Sequence, residues 1–173
     1  MLLLIGGARS GKSRLAVEMA ERHGGPVCLI ATGEASDEEM TERIERHRRE
    51  RPESWQVIEE SRQLDAALGQ TGVEETLIID CLTLWVSNLM IDRDDGSIID
   101  LAKATARTAS AREALTIVVT NDVGLGLVPM DPVGRRYRDL LGLVNREFSR
   151  QAEKALLVVA GRTLELERPG YGP

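Results

Sequence analysis

Aromatic side chains are nearly absent from this chain: one Phe, two Trp and two Tyr in 173 residues, 3% of the whole. A core must then come from Leu, Ile, Val and Ala, and there is little on which nucleic-acid bases could stack in series. Positive charge is short as well. With 22 Lys and Arg against 28 Asp and Glu the net charge is −6. That argues against general binding to nucleic acid or to a membrane surface, both of which need a basic face. Two His and two Cys make a structural zinc centre improbable. Cys28 and Cys81 both sit in apolar runs, so buried free thiols in a reducing cytoplasm are expected. No apolar run approaches the roughly 18 residues of a membrane span. Met1–Ile5 is apolar but is followed at once by glycine, so no signal peptide is expected.

What is present is the composition of a soluble globular protein, 42% hydrophobic and 29% charged, at a length that suits one domain with a real core. Short β-type apolar runs occur at Leu2–Ile5, Val27–Ala31, Thr76–Ile79, Leu115–Val119 and Leu156–Ala160. Each has the length of a strand buried on both faces. Helical segments are expected at about 12–23, 37–50, 61–69, 82–91, 98–113 and 133–154. This alternation predicts an α/β fold with a mostly parallel sheet flanked by helices in three layers. Thr163–Leu166 alternates and reads as an edge strand or a tail. Asp37 and Ser61 are expected to cap helices, and 92–97 reads as an exposed turn.

The first strand runs into Gly6-Gly7-Ala8-Arg9-Ser10-Gly11-Lys12-Ser13. Glycine, four residues, Gly-Lys and Ser, after a strand and before a helix, make a P-loop, so the expected fold is of the P-loop NTPase type. Glycines let backbone N–H groups curl toward phosphate oxygens, and the helix N-terminus adds its positive end. Lys12 is expected to reach the β- and γ-phosphates and Ser13 to ligate Mg²⁺. Arg9 either touches phosphate or points to solvent. Asp80, ending the run Thr76–Ile79, is the expected acidic Mg²⁺ partner, and it is also placed to cap the helix that follows. The guanine-reading Asn-Lys-x-Asp motif of a GTPase switch is missing; Thr120-Asn121-Asp122-Val123 lacks the lysine.

The second unusual segment carries five arginines, Arg43, Arg46, Arg48, Arg49 and Arg51, in an acidic chain. On a helix Met40, Ile44 and His47 share one face, with Arg43 one turn before His47 and Arg51 one turn after. Positive neighbours keep an imidazole neutral, the form that attacks phosphorus, and they also offset charge on a departing pyrophosphate. Spacing alone equally fits a salt-bridged surface helix with Glu42–Arg46 and Glu45–Arg49 pairs. His23, just before Gly24-Gly25-Pro26, suits a helix C-terminus.

Taken together the motifs resemble a known family. They are the P-loop, Ile30-Ala31-Thr32, the spaced set from Asp37 through Glu39, Met40, Arg43, Ile44, His47, Arg51 and Pro52 to Trp55, Asp80-Cys81-Leu82-Thr83 with Asn88-Leu89, and Thr120–Gly124 with Gly126, Val128 and Pro129. This pattern is similar to the bifunctional adenosylcobinamide kinase/adenosylcobinamide-phosphate guanylyltransferase of cobalamin biosynthesis, from Met1 to about Gly161. The resemblance implies phosphorylation of adenosylcobinamide by ATP or GTP. It then implies attack of His47 on the α-phosphorus of GTP, and capture of the GMP–histidine by the corrinoid phosphate. It further implies nucleotide contacts from the P-loop, Ala31, Thr32, Gly33, Arg48, Arg49, Glu50, Arg51, Glu59 and Asp80, and a homotrimer. Asp80 and Asp122 stand where the family commonly has Glu. Two other readings stay open: a P-loop small-molecule kinase without guanylyl transfer, and a nucleotide-binding regulatory module. The sequence leaves the corrinoid contacts open, with Leu125, Leu127 and Val128 as aliphatic candidates. It also leaves open whether His47 serves its own P-loop or a neighbour's.

Overall fold

The computed structural model describes residues 1–34, 38–49 and 52–168; of Glu39, Met40, Arg43, Arg46 and His47 it describes the backbone alone. Thirteen elements follow in chain order: β1 (Leu2–Gly6), α1 (Lys12–His23), β2 (Val27–Ala31), α2 (Glu38–Arg49), β3 (Gln56–Glu59), α3 (Leu64–Leu68), β4 (Thr76–Asp80), α4 (Leu82–Leu89), α5 (Asp95–Ser110), β5 (Thr116–Asn121), α6 (Pro132–Gln151), β6 (Lys154–Val159) and β7 (Arg162–Leu166). The strands form one sheet in the order β3-β2-β4-β5-β1-β6-β7. All pairings are parallel except β6 with β7, which is antiparallel. This is the mostly parallel, helix-flanked sheet that the alternating runs predict.

The central strands bury both faces, and alternate residues go to two cores. Leu3, Ile30, Leu77, Ile79 and Val118 face the side covered by α3, α4, α5 and α6. Leu2, Leu4, Leu29, Ile78, Ile117 and Val119 face the side where α1 contributes Ala16 and Ala20. The small residues of α1 let that helix lie close to the sheet. On the opposite side Trp85 and Phe148 meet edge to face, centroids 6.3 Å apart, and the Trp85 indole N–H donates to the Arg62 carbonyl at 2.9 Å. These two rings are thus spent on packing.

Several local expectations need correction. β3 was not expected; its four residues are mostly exposed at the sheet edge, so no apolar run marks it. Thr163–Leu166 needs none: of its two readings the edge strand holds, as part of β7. Ser61 does not cap α3: that helix starts at Leu64 after Gln63, and the Ser61 hydroxyl bonds to the Glu34 carboxylate. Glu60 does the local work, its Oε1 accepting from the N–H groups of Arg62 and Gln63 at 2.8 and 2.9 Å. The segment 92–97 is only half a turn, because α5 begins at Asp95 with Asp94 as a side-chain cap on the Ser97 N–H. The last long helix ends at Gln151, three residues before β6 takes over at Lys154. His23 does lie in the last turn of α1. Asp37, expected as a cap, lies outside the described residues. Among the described residues, no helix is long and apolar enough to cross a membrane.

Candidate active site

Parallel strands put their carboxyl ends on one edge of the sheet, and the expected site residues collect there. Gly6 ends β1, Ala31 ends β2, Glu59 ends β3 and Asp80 ends β4. Gly6 is in register with Asn121 across β1 and β5, and Asp80 with Ala31 across β4 and β2. Ligands of open α/β sheets sit outside this edge.

The P-loop leaves β1 and returns as α1. Gly11 takes the left-handed conformation (φ 100°) at the N-cap of α1, and Arg9 is also left-handed at φ 54°. Gly7, Ala8 and Arg9 are exposed, Ser10 and Ser13 half-buried, and Lys12 buried. The Lys12 Nζ donates to the Gly7 carbonyl at 2.7 Å and to the Ser10 hydroxyl at 3.3 Å. Its cation therefore sits inside the curl of the loop, under the exposed backbone of Gly7–Arg9, which is where a phosphate chain needs it.

The loop is supported by groups that sequence motifs did not reveal. The Gly161 N–H donates to the Ser10 carbonyl at 2.9 Å, and the Asp122 N–H to the Gly6 carbonyl at 3.1 Å. A Cβ on Gly6 would overlap the carbonyl oxygen of Val158, so this glycine is required by close approach. The β6–β7 hairpin turn, with Ala160 and Gly161 left-handed at φ 51° and 74°, thus props the P-loop from behind. The only sequence signal was the Ala-Gly pair between two short apolar runs.

On the other flank the ends of β2 and β4 are stitched together. Thr32 is buried; its hydroxyl donates to the Cys81 carbonyl at 2.7 Å and accepts from the Cys81 N–H at 2.8 Å. The Asn88 amide donates to the carbonyls of Thr32 and Ser61 at 2.9 and 3.1 Å. One side chain of α4 thereby fixes both the segment leading to α2 and the segment after β3. Asp80 does not cap α4, since the N-cap position is Cys81. Burial and the neighbouring Asp80 charge push the Cys81 thiol up to about 11. At the end of β5, Thr83 accepts from the Asn121 N–H at 2.9 Å, and the Asn145 amide donates to the Asn121 carbonyl at 2.9 Å. Thr120 donates to Asn145 at 2.7 Å. The Thr120-Asn121 pair therefore fixes the strand end.

Helix α2 docks on this same edge. Ile44 and Leu84 crowd Gly33: a Cβ there would lie 3.5 and 3.3 Å from their side chains. Arg48 forms an ion pair with Glu59, so two residues expected to touch nucleotide are held by each other at the end of β3. Arg49 pairs with Glu45 at 3.9 Å, as the helix spacing predicts. His47 lies in the last turn of α2, one residue before Arg48; its side chain, with those of Arg43 and Arg46, is outside the described set, as are Glu50 and Arg51 entirely. Among the described residues no group of three or more His, Cys, Asp or Glu could hold a metal. Of the residues expected to hold Mg²⁺, Ser13 lies in the first turn of α1 and Asp80 at the end of β4.

Residues 2–166 match the family model described as cobinamide kinase / cobinamide phosphate guanyltransferase. A Pseudomonas aeruginosa protein named bifunctional adenosylcobalamin biosynthesis protein CobP is 38% identical over 95% of this chain and 96% of its own. The bifunctional CobU proteins of Escherichia coli and Salmonella typhimurium are 36% and 33% identical, each over 93% of this chain and 96% of theirs. A solved Pyrococcus horikoshii structure superposes with a TM-score of 0.58 at 7% identity, covering 95% of this chain and 84% of that one; it speaks to the fold alone. With a P-loop, a docked arginine-bearing α2 and a match along nearly its whole length, the chain belongs to the cobinamide kinase / cobinamide phosphate guanyltransferase family.

Proposed function

We propose that the chain phosphorylates adenosylcobinamide with ATP or GTP and then converts adenosylcobinamide phosphate to adenosylcobinamide-GDP. The observation that carries this reading is the meeting, at one sheet edge, of a P-loop enclosing Lys12 and an α2 held by the Arg48–Glu59 pair. In the kinase step the P-loop N–H groups and Lys12 hold the triphosphate, and the primary hydroxyl of the acceptor's aminopropanol arm attacks the γ-phosphorus, releasing the nucleoside diphosphate. In the transferase step the neutral imidazole of His47 attacks the α-phosphorus of GTP and pyrophosphate departs. A phosphate oxygen of the corrinoid then attacks the GMP–histidine, forming the diphosphate bond and returning free His47. Arg48, Arg49 and Arg51 offset the phosphate charge. Ala31–Gly33, Glu50, Glu59 and Asp80 complete the nucleotide contacts.

Ser13 and Asp80 suit Mg²⁺, which takes hard oxygen ligands and keeps one or two carboxylates with substrate phosphates and water. Bound there it would neutralise phosphate charge. The chain acts in this reading as a single domain, in the cytoplasm, where its free thiols Cys28 and Cys81 stay reduced, and as the homotrimer that the resemblance implies. Incubation with adenosylcobinamide, ATP, GTP and Mg²⁺ should give adenosylcobinamide-GDP and pyrophosphate in equal amounts. Phosphorylated corrinoid without the GDP adduct would reduce the enzyme to a kinase, and acceptor-independent hydrolysis alone would argue for a regulatory module.

A further inference from the structure

Residues 122–131 cross the carboxyl edge of the sheet between β5 and α6. Leu125, Leu127, Val128 and Met130 are 84, 97, 63 and 95% exposed, and Val133, just inside α6, is 67% exposed. Five large apolar side chains turned outward over so short a segment mark a binding surface. The segment is also tied down at both ends. The Asp122 N–H bonds to the Gly6 carbonyl of the P-loop, and the Asp122 carboxylate accepts from the Gly124 N–H at 2.7 Å. Arg135 donates to the carbonyls of Pro129 and Met130 at 3.0 and 2.6 Å, and Asp131 caps α6 through the Gly134 N–H at 2.6 Å. The loop that carries the apolar side chains is therefore anchored on both sides, which lowers the ordering cost of binding.

Resting on the activity proposed above, we infer that this loop is the platform for the corrin macrocycle of the acceptor. The acceptor's hydroxyl must reach a phosphate held by the P-loop, and the loop starts one hydrogen bond from Gly6. A corrin ring presents broad, methyl-bearing faces that need apolar support. Among the described residues no ring is free to serve: Trp85 and Phe148 are fully buried, Tyr137 is half-buried with its hydroxyl on the Thr83 carbonyl, and Trp55 packs against the core on the α1 side. Aliphatic and thioether groups supply the surface instead, and Met adapts to an irregular ligand. The other exposed apolar row, Val159, Leu164 and Leu166, lies on β6 and the edge strand β7, whose free backbone groups suit a polypeptide partner. The 122–131 loop has no such ladder to extend and suits a small molecule.

The test uses the full chain carrying Leu125→Ser, Leu127→Ser and Met130→Ser together, with Leu127→Ser alone as a milder companion. KM for adenosylcobinamide and for ATP are measured in the kinase step, with acceptor-free labelling by α-³²P-GTP and sedimentation alongside. Loss of this apolar contact should raise the corrinoid KM about tenfold or more in the triple variant and less in the single one. KM for ATP, labelling and mass in solution should stay within about twofold. An unchanged corrinoid KM, a parallel rise in both KM values, or a change in mass revealing a second copy on this loop would each overturn the assignment. If the wild-type enzyme does not use adenosylcobinamide at all, the proposed activity falls and the platform with it.

Discussion

The Thr32 hydroxyl holds the Cys81 peptide at both ends, accepting from its N–H at 2.8 Å and donating to its carbonyl at 2.7 Å. Ala31 and Asp80, the last residues of β2 and β4, are thereby fixed relative to one another, and Asn88 extends the tie to the segment after β3. Replacing Thr32 by Val keeps the shape and leaves both Cys81 groups without this partner. We expect a loss of about 2 kcal/mol in urea unfolding, with Thr32→Ser recovering most of it. A Val variant as stable as wild type would show that the tie is dispensable.

The two glycines that open the P-loop should respond differently. Gly6→Ala drives a methyl into the Val158 carbonyl, whereas a Cβ on Gly7 meets nothing within 4 Å. Gly6→Ala should abolish detectable ATP binding by calorimetry and lower Tm. Gly7→Ala should leave Tm nearly unchanged.

Lys12→Ala removes the cation enclosed by the loop. The kinase step should slow by about 10²–10³-fold, the scale of losing one preorganised charge-stabilising group, while circular dichroism stays native. A loss under tenfold would mean that the triphosphate is held elsewhere.

The thiols carry a pH signature. Burial pushes Cys28 and Cys81 from the usual 9.0 up to about 11, with the Glu75 charge adding at Cys28 and Asp80 at Cys81. Raised thiol pKa values mean that the folded state holds its protons longer than the unfolded one. The stabilisation is fully present below pH 9.0 and is lost as pH rises toward 11. Alkylation at pH 8 should run roughly 100-fold slower in the folded enzyme than in urea. Equal rates would contradict the burial.

Much of the fold was legible because five strands are continuous apolar runs, which only a sheet covered on both faces can accommodate. Gln56–Glu59 escaped notice since an edge strand with exposed residues leaves no such run, and Ser61 misled because Glu60 took the capping bonds. At the site, Gly6–Ser13 could be read from spacing. The props behind it could not: Gly161 reaches Ser10, and Asn88 reaches Thr32, through contacts between residues far apart in the chain. The Arg48–Glu59 pair had the same character, for the two residues were singled out separately and only the fold joins them.

The central claim is that α2 brings a nucleophile, His47, to a nucleotide site built on the P-loop edge. Incubating the enzyme with α-³²P-GTP and no corrinoid tests it most directly. The account predicts a protein-bound label that is labile in acid and stable in base, lost in His47→Ala while ATP still binds. Full labelling of His47→Ala would contradict it.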